Sequence, residues 1–232
     1  MSADASSPDT PPPSRTPRIP PPPPSRTPRI PPLPPEEWDD TLRAVVANLG
    51  PLNVLTTLAR HPALFAAWIG LGSKLLFEGT LDGRVREIAI LRVAHQRSCE
   101  YEWVHHVPIA QLAGLKDEEI AALREAPGDH PWSAADRAVI DAVDELNADS
   151  TLSDATWAAL SERLDERGLI ELIMLVGQYH MVAFALNTLR VQNENDHAPN
   201  EPGRVGDEGD HAQDERGRAP GDRGGGQAED ER

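Results

Sequence analysis

The sequence has a single cysteine in 232 residues, so no disulfide can close within the chain, and a reducing compartment fits. Basic charge is scarce: 22 Lys and Arg stand against 38 Asp and Glu, a net charge of -16. Recognition of nucleic acid needs a basic face, and this balance argues against one. The start, Met1-Ser2-Ala3-Asp4, has neither a basic region nor an apolar one behind it, so no secretory signal is expected. The longest unbroken apolar runs fall well short of the roughly 20 residues that span a bilayer. No stretch alternates apolar and polar residues as a half-buried strand would. These absences together predict a cytoplasmic, all-α protein that binds neither nucleic acid nor membrane.

Proline, by contrast, is plentiful, with 23 residues, and is concentrated at one end. Residues 1–35 read as a proline-rich arm in which 11–21 and 22–32 repeat the same eleven residues, Pro-Pro-Pro-Ser-Arg-Thr-Pro-Arg-Ile-Pro-Pro. Such a segment favours the polyproline II helix, and arginine near a P-x-x-P spacing suits a proline-motif-binding partner; a duplicated spacer is the simpler reading. Residues 193–232 carry 12 acids and 5 arginines among glycine and little that is apolar. Neither end can bury enough surface to offset the entropy of ordering, so both are expected to be disordered. One domain is left, residues 36–192, long enough for an ordinary core. The arm is net +2 and the tail net -7, so this domain holds -11, which favours solubility.

Helical spacing runs through the domain. Trp38, Leu42, Val45, Val46 and Leu49 recur at three and four before Gly50-Pro51. Helices follow over about 54–60, a buried stretch to Phe77, 84–96, 98–113 with a kink at Pro108, 116–126, 133–148 behind Ser133, 153–167 and 168–191. The expected architecture is all-α with about eight helices.

Chemistry-bearing residues gather in one place. Glu87 lies on the helix from Arg84, and Cys99, Tyr101, Glu102, His105 and His106 lie on the next. On a helix begun at Ser98, Cys99, Glu102 and His106 share one face, and Glu102 and His106 form an i, i+4 pair in which a carboxylate can hold an imidazole. Cys99 falls in the first turn, where free amides and the helix dipole favour a thiolate. Glu87, folded back across a short connection, completes a set suited to proton transfer. A lone cysteine is more often a small buried apolar residue, and a Glu–His pair is often a surface contact. His105 points elsewhere on the helix. A metal site built from Glu102, His106 and His180 lacks diagnostic spacing, so neither metal nor cofactor is expected. Gly177 to Ala183 loosely repeats Tyr101 to His106 and reads as core packing; His61 and His95 read as ordinary polar contacts.

Residues 84–115, with Cys-x-Tyr-x-Trp-x-x-His leading into Ala-Gly-Leu, resemble the carboxymuconolactone decarboxylase and alkylhydroperoxidase-D (AhpD)-like superfamily, over roughly residues 38–190. The hydroperoxidase branch has a glutamate, eleven residues, Cys-x-x-Cys, and a histidine four residues on. Glu87, Cys99 and His106 match that pattern, and Glu102 stands at the second cysteine. The resemblance implies an AhpD-like helical subunit that assembles into trimers or hexamers. Without the cysteine pair, it implies acid–base handling of a small organic acid or lactone: Glu102 and His106 as acid and base, Glu87 orienting the histidine, Tyr101 donating a hydrogen bond.

Two alternatives stand beside that reading. One is a thiol-dependent peroxidase of peroxiredoxin type, with Cys99 as its redox centre and an external thiol to resolve it. The other is a non-catalytic helical oligomer that displays its proline-rich arm.

Overall fold

The structure is a computed structural model that describes residues 27–124 and 127–194. Most of the tandem repeat, and the acidic tail beyond Glu194, lie outside the described residues. Among the described residues there are nine α-helices and no strand: α1 (Asp40–Leu49), α2 (Asn53–Leu58), α3 (Pro62–Phe77), α4 (Gly83–Gln96), α5 (Glu100–Leu112), α6 (Asp117–Arg124), α7 (Ala134–Asp149), α8 (Asp154–Ser161) and α9 (Glu166–Leu189). The all-α expectation is met, and each expected segment holds one helix.

Short polar side chains start these helices. Asp39, Asp82, Ser133, Ser153 and Asp165 each accept a backbone N–H three residues on, at the starts of α1, α4, α7, α8 and α9. Each such cap contributes about 1 kcal/mol by satisfying an otherwise free amide. The cap at Asp165 moves one boundary: α9 begins at Glu166, so Gly168 lies inside the helix and does not separate it from α8. Gly50 and Gly114 follow α1 and α5 at φ of 82° and 89°, a region that favours glycine.

Helix α4 is the centre of the core. Ile88, Ala89, Ile90, Leu91, Val93 and Ala94 are fully or almost fully buried, and the helix packs against α5, α6, α7 and α9. Truncating one of its large side chains, as in Leu91→Ala, costs roughly 2–5 kcal/mol. Two arginines fix its outer side. Arg84 is shared by Glu119 and Asp136, and Arg92 makes two hydrogen bonds to Asp144, at 2.7 and 3.0 Å. Helix α9 has the length and apolar composition of a membrane span, although its apolar residues do not form one unbroken run. Half of the window is buried, and its inner face packs on α4, as expected of a core helix.

Both ends of the domain reach further than the 36–192 boundaries. Leu33 donates to the Thr56 carbonyl at 2.9 Å, Arg29 to that of Leu189 at 2.9 Å, and Arg60 Nε to that of Pro31 at 2.6 Å. Residues 29–35 are therefore part of the domain, not of a disordered arm. At the other end, Glu194 is held by Asn53, Tyr101 and His105. Composition misses both, because each segment is ordered by partners distant in sequence.

Candidate active site

A tight connection brings the second site-bearing helix back along the first. Ser98 takes a left-handed φ of 50°, and the Cys99 amide donates to the Ala94 carbonyl at 2.8 Å, closing the end of α4. Helix α5 then packs on α4, so that Glu87 and His106, nineteen residues apart, meet at 2.8 Å between Oε2 and Nδ1. Glu87 is fully buried, and its other oxygen accepts from Arg86 Nε at 3.0 Å. A third helix supplies the next link: the Tyr179 hydroxyl on α9 lies 3.2 Å from His106 Nε2, the two rings meeting edge to face.

This is a continuous polar chain, Arg86–Glu87–His106–Tyr179. A carboxylate against Nδ1 requires a proton there, so Nε2 of the neutral ring accepts from the Tyr179 hydroxyl. Burial, then the charges of Glu87 and Glu102, push the Tyr179 phenol well above its ordinary range. Tyr179 therefore keeps its proton and acts as a donor.

The chain forms one end of a cavity of about 390 Å³. Its walls are mainly apolar, from Leu52, Val54, Trp68, Ile69, Leu76, Ile109, Val182 and Leu186, with Gln178 and Glu102 beside the chain. Both Glu102 oxygens are buried, with the Cys99 thiol as their polar neighbour. Burial pushes this carboxyl up to about 8, so Glu102 is protonated at neutral pH. The i, i+4 contact expected between Glu102 and His106 is absent from the hydrogen bonds. Glu87 and Tyr179 take both ring nitrogens, and Glu102 stands in the wall as a neutral acid.

Cys99 is placed otherwise. It is 1% exposed, precedes the first residue of α5, and clusters with Val182, Ala183 and Leu186. The cavity it lines is a separate recess of about 260 Å³, with His95, Glu100 and Arg124. The expectation that the helix terminus favours a thiolate is overturned: burial, then the charge of Glu102, push the thiol up to about 12. Desolvation outweighs the helix dipole here.

Tyr101 lines the large cavity, but its hydroxyl donates to Glu194 Oε1 at 2.6 Å and accepts from the Val54 amide at 3.2 Å. Its expected role as donor to a substrate is thus filled by contacts within the chain. His105, expected to point elsewhere, lines the same cavity and stacks on Tyr101. His180 bonds to Val176 and Asn147 and does not line the cavity, so Glu102, His106 and His180 do not converge. His61 caps α3, and His95 sits in the recess beside Cys99. Arg86, Gln178, Tyr179 and Glu194 were not expected at the site. The echo at residues 177–183 was the available sign for Gln178 and Tyr179; Glu194 had none.

Residues 62–145, which include Glu87, Cys99, Glu102 and His106, match the carboxymuconolactone decarboxylase family. Over those residues the chain is similar to that family. Solved structures of similar fold include an alkylhydroperoxidase AhpD core, an uncharacterized peroxidase-related protein from Ralstonia eutropha, at 18% identity and TM-score 0.63, covering 69% of this chain and 89% of that one. A peroxidase-related protein from Silicibacter sp. aligns at 20% identity and TM-score 0.60, over 73% and 90%. The debrominase Bmp8, in complex with 2,3,4-tribromopyrrole, aligns at 18% identity and TM-score 0.59, over 71% and 91%. No curated protein matches the sequence significantly. At these identities the likenesses show a shared helical fold and leave the chemistry to the site.

Proposed function

We propose that this protein is a cofactor-independent enzyme of the superfamily, acting on a small organic acid or lactone by proton transfer. The observation that carries the reading is the buried Glu87–His106–Tyr179 chain at one end of an apolar cavity, with the neutral Glu102 beside it. His106 Nε2 is the base that withdraws a proton from a substrate atom, freed for it as the Tyr179 hydroxyl turns from the ring to the substrate. Glu87, tied to Arg86, stabilises the imidazolium that results. Tyr179 donates to oxygen where negative charge develops, and protonated Glu102 returns a proton to carbon or to a leaving oxygen. The apolar walls keep water from these groups and strengthen each interaction.

The test is a panel of small organic acids and lactones, followed by NMR for loss of substrate. His106→Ala and Glu102→Gln should abolish turnover, and Cys99→Ser should retain it. An inactive Cys99→Ser protein would overturn the reading and restore the thiol-dependent peroxidase. That alternative has less support, because the cysteine lines a different cavity and its thiol holds its proton.

We also propose that the protein is cytoplasmic and works as a homo-oligomer, a trimer or hexamer. Ile170, Ile173, Met174, Met181 and Phe184 form an exposed apolar stripe along α9, which supports an interface between subunits.

A further inference from the structure

The rim of the large cavity holds a contact that this chemistry does not use. Glu194 Oε1 accepts from the Tyr101 hydroxyl at 2.6 Å and from the Asn53 amide at 2.8 Å. Its Oε2 lies 2.8 Å from His105 Nε2. The cradle is rigid on the helix side: Tyr101 and His105 stack with ring centroids 4.1 Å apart, and His105 Nδ1 lies 2.8 Å from the Tyr101 carbonyl oxygen. Two side chains of α5 thus grip one oxygen each of a single carboxylate, the two-point geometry that suits a carboxylate ligand.

Both gripping residues line the cavity, whereas Glu194 does not. Deeper in the wall, Arg86 Nε gives its hydrogen to Glu87, and His106 is held between Glu87 and Tyr179. For a carboxylated ligand the Tyr101 hydroxyl and His105 Nε2 offer two donors on one helix, spaced to take one carboxylate oxygen each. The chain's own carboxylate sits on them, delivered by a short segment that leaves α9 after Leu189 and is fastened by Asn53 Nδ2 to the Gln192 carbonyl at 2.9 Å. Glu194 is about one-third exposed, at 32%, so it can be exchanged from solvent without opening the core.

We propose that Tyr101 and His105 form a carboxylate subsite at the cavity rim for a small organic acid, and that Glu194 is its in-chain occupant, displaced when such a ligand binds. The inference rests on the reading of the cavity as a site for small organic acids. Binding is an exchange of one carboxylate for another, with no covalent step. It makes the apparent affinity for acids lower than the intrinsic one, by the fraction of molecules in which Glu194 has left.

The test uses the full chain, with benzoate and its neutral counterpart benzamide as probes in calorimetry. Glu194→Gln should tighten benzoate binding by roughly tenfold or more and leave benzamide unchanged. Adding Tyr101→Phe should remove that gain. Unchanged or weaker benzoate binding in Glu194→Gln, or an equal gain for benzamide, overturns the proposal. A melting temperature near that of the parent checks the fold of each variant. Turnover is read separately. A substrate panel without product, together with the expected benzoate response, removes the proposed function and leaves the subsite; turnover without that response does the reverse.

Discussion

Cys99 and Glu102 lie three residues apart, yet they open onto different cavities, Glu102 onto the large one beside His106 and Cys99 onto the recess beside Arg124. The two side chains still meet, and the charge of Glu102 helps to push the Cys99 thiol up. Acid–base groups collect around one cavity. The thiol is left with a carboxyl on one side and apolar side chains on the other.

The first prediction concerns that thiol. A rise from the ordinary value of 9.0 to about 12 leaves roughly 10³ less thiolate at pH 8. Iodoacetamide should modify native Cys99 at least about a hundredfold more slowly than Cys99 in urea-unfolded protein. Comparable rates would show that the side chain is accessible and ionisable in the fold.

Glu102 gives the stability a defined pH dependence. Its carboxyl is raised from 4.5 to about 8 on folding, so between these values the unfolded chain has released a proton that the folded chain retains. Glu102 therefore contributes stability that is fully present below about 4.5 and is lost as pH rises towards 8. Its share of the slope approaches about -1.4 kcal/mol per pH unit. Urea denaturation from pH 5 to 8 should show this slope in the parent protein and a flatter profile in Glu102→Gln. Parallel profiles would place the carboxyl in contact with water.

The buried polar chain should be sensitive at every link. Glu87→Ala leaves Arg86 and His106 without their common partner and should cost about 3–5 kcal/mol in denaturant unfolding. Tyr179→Phe removes one hydroxyl from His106 Nε2 and should cost about 1–3 kcal/mol. It should also slow turnover while leaving a folded protein. Full activity in Tyr179→Phe would exclude the phenol from the chemistry.

Gly72, on α3, lines the cavity opposite Gln178, and a Cβ there would meet Gln178 Nε2 at an ordinary 3.7 Å. Gly72→Ala should therefore stabilise the helix by about 0.5–1 kcal/mol. Gly72→Leu should fill part of the cavity and weaken the binding of any ligand there, benzamide included. Calorimetry on both variants checks the pair.

The stripe on α9 should hold subunits together. Met174 and Phe184 are 49% and 55% exposed, one on each side of its middle. Met174→Glu and Phe184→Glu should each shift sedimentation velocity towards a smaller species at micromolar concentration. A parent protein that already sediments as a monomer would overturn the homo-oligomer.

By itself the sequence determined the helical class, most helix starts and the residues around which the site is built. Those features are local. Apolar spacing at three and four specifies a helix face, and Ser133 announces its cap at a fixed offset. The spacing from Glu87 through Cys99 to His106 likewise needs only the chain. Tertiary structure decided which groups meet. Only the packing of α9 on α4 brings Tyr179 to His106, and only the return of the chain end sets Glu194 against Tyr101 and His105. Protonation was settled in the same way. The helix dipole at Cys99 is legible from position, but the loss of water that overrides it, and that holds a proton on Glu102, comes from neighbours supplied by other segments.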